Sequence, residues 1–245
     1  MKIRFFLLLL ILSFNTSAQV KPFALIELFT SEGNRDCPPA DDVIRKISAE
    51  TKKAGQNVFF LSYHVDYWNK LGWKDPFSKF QYTIRQENYS RVLAEKEMYT
   101  PEIVVNGSRS FTGSKEAMLR TSISEALSEP AKVDVKILSD SIANDTLFIS
   151  YKISIANPNY VLRAAVTQSN LSSTVTKGEN SGKTLNHDHV VRALTSVDKP
   201  ELQGIVALPL KGIKPNPTME LIVFVQHKQT MRVYGVDGGK LAGSK

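Results

Sequence analysis

Cysteine and histidine are the side chains most often recruited for nucleophilic and proton-transfer chemistry, and this 245-residue chain has one cysteine, Cys37, and four histidines. Cys37 stands in Thr30-Ser31-Glu32-Gly33-Asn34-Arg35-Asp36-Cys37-Pro38-Pro39, where an apolar run turns into a helical pattern. Free N–H groups and the dipole at a helix start favour a thiolate; Arg35 would add to that effect and Asp36 would oppose it. Three readings of Cys37 are open: a small buried hydrophobe in the first helical turn, a single thiol that forms mixed disulfides with a partner or a small thiol, or the nucleophile of a Cys-based hydrolase or transferase. A solitary cysteine forms no internal disulfide, so stability in an oxidising compartment must come from packing.

His64 and Asp66 lie two residues apart at the end of a second apolar run, the sheet edge where open α/β folds place ligands. Period-two geometry puts both on one face if the strand continues that far. The catalytic candidates are therefore Cys37, His64 as its activating base, and Asp66 as the orienter of the imidazole; the alternative is a histidine bonded to a backbone carbonyl. His187-Asp188-His189, with Glu179 or Asp188 as a further ligand, falls short of a zinc site, which needs three or four ligands. His187 reads instead as a bridge to the loop after the Gly178 to Gly182 turn. The run Gly178 to Thr184 has one residue too few, and no following helix, for a phosphate loop. No metal or other cofactor is assigned.

The elements that must position these residues follow from hydrophobic period. Residues 24–29 and 58–65 read as strands. Between them Ala40, Val43, Ile44 and Ile47 recur at helical spacing, after Pro38-Pro39 and before Gly55. A loop over 66–76 leads to a helix over 77–98. Glu102 to Val105, the positive-φ pair Asn106-Gly107 and Ser108 to Phe111 predict a hairpin, and a helix carrying Leu119, Ile123, Ala126 and Leu127 follows. The order βαβαββα is that of a thioredoxin-like layer. From Lys132 about seven short β-branched runs (133–138, 146–155, 161–167, 190–194, 205–208, 221–226 and 232–234) suggest a small all-β sandwich. The expected organisation is a signal peptide at 1–18, an α/β thioredoxin-like domain at 19–130 and a β-sandwich domain at 131–245, docked together.

Composition narrows the function class. Hydrophobic residues at 42% and charged residues at 22% exclude a disordered or fibrous chain. The net charge of +7 is not gathered into any basic run, which argues against a nucleic-acid partner. Lys2 and Arg4, an apolar stretch over 5–14 broken only by Ser13, and Thr16-Ser17-Ala18 have the form of a cleaved signal peptide. Its loss removes two positive charges and leaves +5. The stretch is shorter than the roughly 20 residues of a spanning helix, so an exported protein, secreted or periplasmic and without a stable membrane span, is expected.

Glu27-Leu28-Phe29-Thr30-Ser31-Glu32-Gly33, Cys37-Pro38-Pro39-Ala40-Asp41, His64-Val65-Asp66-Tyr67-Trp68 and Leu71-Gly72-Trp73-Lys74-Asp75-Pro76-Phe77 resemble a bacterial family of secreted thioredoxin-like proteins of unknown function. Residues 177–187 and Val190-Val191-Arg192 resemble its downstream motif. The resemblance implies a fold more than a reaction. Family members commonly carry Cys-x-x-Cys; here Asn34 replaces the first cysteine, so Cys37 is the one the helix covers and no resolving thiol exists. Thr100-Pro101 falls where such folds carry a cis-proline, a device that leaves backbone groups free to pair with an extended peptide. The expectation is a degenerate single-Cys motif and a protein or peptide partner, held by Asn34, Arg35, Trp68, Trp73, Thr100 and Pro101. The alternative is a single-cysteine redox protein that uses Cys37 with an external thiol.

Overall fold

The first apolar run forms strand β1 (Ala24–Thr30), buried along its whole length; a strand covered on both faces shows no polar alternation, hence its continuous apolar character. The computed structural model describes residues 20–95 and 97–241, and the expected signal peptide lies outside them. Helix α1 (Cys37–Lys53) has its prolines in the first turn and Lys52 and Lys53 in the last, as the missing proline N–H and the helix dipole favour. Its buried stripe is Cys37, Ala40, Ile44, Ile47 and Thr51. Strand β2 (Val58–His64) follows, then a 3-10 turn at Tyr67–Leu71 and helix α2 (Phe80–Val92). This helix is shorter than the sequence predicts: Lys79 before it is extended, and Ala94 after it takes φ 55. Strands β3 (Glu102–Val105) and β4 (Arg109–Thr112) form the hairpin, and helix α3 (Glu116–Ser128) closes this half. At the hairpin tip Gly107 has φ 63, and a Cβ there would meet Met231 O at 1.9 Å, so only glycine fits.

Among the described residues nine strands follow: β5 (Val135–Ala143), β6 (Thr146–Ile153), β7 (Tyr160–Gln168), β8 (Leu171–Thr174), β9 (Thr184–His187), β10 (Val190–Asp198), β11 (Gln203–Pro209), β12 (Met219–His227) and β13 (Val233–Lys240). The two without a sequence signal, β8 and β9, are short and mostly polar. The architecture is mixed α/β. An eight-stranded mixed sheet has the order β13-β12-β7-β10-β2-β1-β3-β4, beside a three-stranded sheet β11-β6-β5 and a two-stranded ribbon β8-β9.

The large sheet runs through residues on both sides of position 130. Strand β10 lies parallel to β2 with Val190 opposite Ser62; Ser62 N donates to His189 O at 2.8 Å, and Ser62 Oγ to Asp188 O at 3.0 Å. Packing is continuous too: Phe29, Tyr63, Tyr82 and Tyr89 share one core with Ala165, Val191, Ile222 and Phe224. Within that core Arg85 Nε donates to Glu27 Oε2 at 2.6 Å and Tyr89 OH to Glu27 Oε1 at 2.5 Å. Arg85 Nη1 reaches Gln226 on β12 at 3.3 Å. The guanidinium also lies over the rings of Tyr63, Tyr89 and Phe224. Helix α2 is thereby tied to both halves of the sheet. Breaking a buried pair strands the remaining charge, at about 3–5 kcal/mol. Arg85→Met is expected to lower the free energy of unfolding in urea by about that amount, and adding Glu27→Gln should recover part of the loss.

Candidate functional site

Strand β1 ends with Thr30 beside His64, the last residue of β2, so both side chains leave one face of the sheet. The chain then turns into α1. Ser31, Glu32, Gly33 and Asn34 are buried, while Arg35 and Asp36 are exposed. A Cβ on Gly33 would lie 3.0 Å from Trp68 Cβ, so the half-buried Trp68 backs the turn. Asn34 Nδ2 donates to Thr100 O at 2.8 Å and to Thr100 Oγ1 at 2.9 Å, and Asn34 Oδ1 accepts Asp36 N at 2.9 Å. The Thr100-Pro101 bond is cis, the isomer that the family resemblance implies. One expectation needs correction: the Thr100 carbonyl is not open to an extended peptide, because Asn34 occupies it and Asn34, Thr100 and Pro101 are all buried.

Cys37 has 0% exposure. Its Sγ accepts Ser31 N at 3.4 Å. Burial, reinforced by the carboxylate of Asp41 one helical turn on, pushes the thiol pKa up to about 12. Desolvation thus outweighs the helix dipole that would favour a thiolate.

His64 finds its carboxylate elsewhere than the sequence predicts. Its Nδ1 lies 2.7 Å from Asp75 Oδ2, with both side chains fully buried. Asp66 is not the orienter. Strand β2 stops at His64 and Asp66 has helical backbone angles, so period-two geometry does not reach it; its Oδ1 accepts Thr83 Oγ1 at 2.6 Å and pins the loop to α2.

Glu32, which no sequence motif singled out for chemistry, lies at the centre of the cluster. It accepts Trp73 Nε1 at 2.7 Å, bonds His187 Nε2 at 2.9 Å and accepts Ser173 Oγ. Its backbone N–H donates to Asp75 Oδ2 at 2.9 Å, so one carboxylate oxygen of Asp75 serves both His64 and the turn. The His64 and His187 rings meet edge to face at 4.8 Å, and Phe77 closes on both. Burial pulls the Asp75 pKa up, but the facing His64 and the N–H groups of Glu32 and Phe77 hold it below the ordinary value. Burial likewise pulls the His187 pKa down. Asp41, at 3.6 Å from Nδ1, and Glu32 outweigh it and raise the value to about 10, so His187 is an imidazolium at neutral pH.

The β8-β9 ribbon covers this cluster. Besides Ser173 and His187 it brings Asn180, whose Nδ2 donates to Glu32 O at 2.9 Å and Asn34 O at 3.0 Å, and Glu179, which accepts Arg35 N at 3.0 Å. His187, Asp188 and His189 diverge: His187 goes to Glu32, Asp188 to Arg45 at 2.9 Å, and His189 onto the Phe60 ring. Among the described residues no group of three or more His, Cys, Asp and Glu side chains is arranged to hold a metal.

The charge on His187 ties stability to pH. Its pKa rises on folding from 6.5 to about 10, so its contribution is complete below pH 6.5 and is lost as pH rises through about 10. Urea midpoints of the wild type are expected to fall over that window more steeply than those of His187→Gln. A wild-type slope equal to the variant's would contradict the assignment.

A search of curated proteins returns no match. A crystal structure of a protein from Agrobacterium tumefaciens is similar at TM-score 0.66 and 25% identity, covering 93% of this chain and 98% of that one. A β-glucuronidase from Ruminococcus gnavus is similar at TM-score 0.24 and 9% identity over 45% of this chain and 16% of its own, and bears on neither fold nor function. The family described as "Protein of unknown function (DUF1223)" matches residues 25–226, and the chain belongs to that family.

Proposed function

We propose that this protein is exported, that it is built as a thioredoxin-like unit followed by a β-sandwich unit, and that it serves the cell envelope as a protein- or peptide-binding module without dithiol chemistry of its own. The observation that carries this reading is the state of the Cys37 turn. The sole thiol of the chain is wholly buried with its pKa pushed up to about 12, and Asn34 is bonded to Thr100 at the position where a partner cysteine would stand. Disulfide exchange needs an attacking thiolate and a second thiol to resolve the mixed disulfide. Neither requirement is met within the chain.

Because Asn34, Thr100 and Pro101 are covered, the binding surface moves outward to the rim of the turn. Arg35, Lys70, Leu71, Lys74 and Lys177 are exposed there, with Trp68 and Trp73 half-buried among them. A Cβ built on Gly178 would lie 3.6 Å from Trp73 Cβ, which brings the ribbon loop and the tryptophan loop into one surface. Cations interleaved with aromatic rings suit an acidic peptide bearing apolar side chains.

The test is a peptide-display selection on the mature protein combined with an insulin-reduction assay. Enriched peptides are expected to be acidic, to lose about tenfold in affinity against Arg35→Glu or Leu71→Asp, and to bind Cys37→Ala as they bind the wild type. Insulin turnover by the wild type, abolished in Cys37→Ala, would replace this reading with the single-cysteine redox alternative.

A further inference from the structure

The two larger sheets end in strands β13 and β4 and in strands β11 and β5, and all but β11 are blocked against further pairing. The segment leading into β5, and β5 itself, cover β13: Lys132 N and Val133 N both donate to Tyr234 O at 2.9 Å, and Ile137 N donates to the Asp237 carboxylate at 2.7 Å. Strand β5 also carries Lys136 and Asp140, and its register breaks between Ile137 and Ser139. Strand β4 has only four residues and opens on Arg109, which pairs with Glu125. Short edges, charges and bulges are the usual means of keeping foreign strands away. Strand β11 lacks all three: Gln203 to Pro209 holds no charge, and its seven residues pair with β6 without a break. Its one such device is Pro209, at the last position.

Ile153 N donates to Leu202 O at 2.8 Å, with Gln203 opposite Lys152. The alternation of an antiparallel ladder then gives the main-chain groups of Gly204, Val206 and Leu208 to β6 and turns those of Gln203, Ile205 and Ala207 outward. The side chains of these three are exposed as well, whereas Val206 and Leu208 are buried. Ile205, at 71%, is the most exposed large apolar side chain among the described residues, and Leu202, just ahead of the strand, is 53% exposed.

We propose that β11 is the contact between two copies of this chain, which pair through it antiparallel about a twofold axis at Ile205. Centring on Ile205, the middle of the three outward residues, uses all of them: Ile205 exchanges main-chain hydrogen bonds with Ile205 of the second copy, and Gln203 with Ala207 of the second copy. The same register sets the exposed Leu202 opposite the buried Leu208 of the second copy, on the core side of the sheet, so both exposed aliphatic side chains of this edge gain cover. Charge selects the direction. Lys199 and Glu201 are exposed ahead of β11, and Lys211 and Lys214 beyond it; antiparallel pairing sets the balanced end against the cationic one, whereas parallel pairing sets cation against cation. A twofold contact uses one patch twice and closes on itself. A strand pair this short buries less than the roughly 1,200 Å² of a stable interface, so the dimer should dissociate reversibly at about micromolar concentration.

Sedimentation velocity of the mature protein, from sub-micromolar to high-micromolar concentration, tests the contact. A monomer–dimer equilibrium is expected. Ile205→Lys should weaken it by about tenfold or more while the circular dichroism spectrum and melting temperature hold, because the side chain is exposed in the single copy. Disulfide trapping tests the register. Facing residues of a hydrogen-bonded pair stand about 5.5 Å apart between Cα atoms, within disulfide reach, so Ile205→Cys should link two copies under oxidised glutathione. In Ala207→Cys each new thiol faces Gln203 of the other copy and should not link. A wild type that stays monomeric throughout would overturn the proposal and leave the edge to a strand of some other protein. Undiminished dimerisation of folded Ile205→Lys, or linking of Ala207→Cys as fast as Ile205→Cys, would overturn it equally.

Discussion

The carboxylate of Glu32 is the constraint on which the site depends. It sits in the turn between β1 and α1 with almost no exposure, where an ionised group survives only if its lone pairs are met by donors. Those donors come from three distant parts of the chain: Trp73 from the loop after β2, Ser173 from β8 and His187 from β9. Satisfying one buried charge therefore draws the tryptophan loop and the polar ribbon onto the turn, and the ribbon then covers Asn34 through Asn180. A two-stranded ribbon has little stability of its own; here an imidazolium–carboxylate pair holds it down.

The same logic operates across the junction of the two halves. Ser62 and Val190 bring β2 and β10 together, and the buried Glu27–Arg85 pair fastens α2 over the seam. The halves are thus coupled through main-chain hydrogen bonds, a common aromatic core and a buried charge pair. Such an arrangement transmits strain at the ribbon or the seam into the turn that carries Cys37, because close-packed interiors do not yield independently.

Much of this could be read from residue order. The α1 stripe is visible in the spacing of Ala40, Ile44 and Ile47, and Cys37, three residues before Ala40, already falls on its buried side. Asn106-Gly107 announces the hairpin, while the cis bond at Thr100-Pro101 follows from the family resemblance and not from the residues alone. What sequence did not reveal depends on long-range pairing. Asp66 has the right spacing from His64 for a strand, but the strand ends one residue after Tyr63, and Asp75, eleven residues from His64, arrives through the fold. Glu32 reads as an ordinary loop acid until His187, 155 positions away, is beside it. Strands β8 and β9 have no clear signal because four-residue runs with a single apolar residue each, Leu171 and Leu185, show no strand period, and the parallel contact of β10 with β2 has no local signature at all.

The only thiol of this protein is packed away as a core side chain. Intact-mass measurement of iodoacetamide labelling tests it most directly, with the folded protein at neutral pH compared with the same protein unfolded in urea. No adduct is expected on folded Cys37 over times in which the unfolded chain is fully labelled. Labelling of the folded protein as fast as a free cysteine would contradict it.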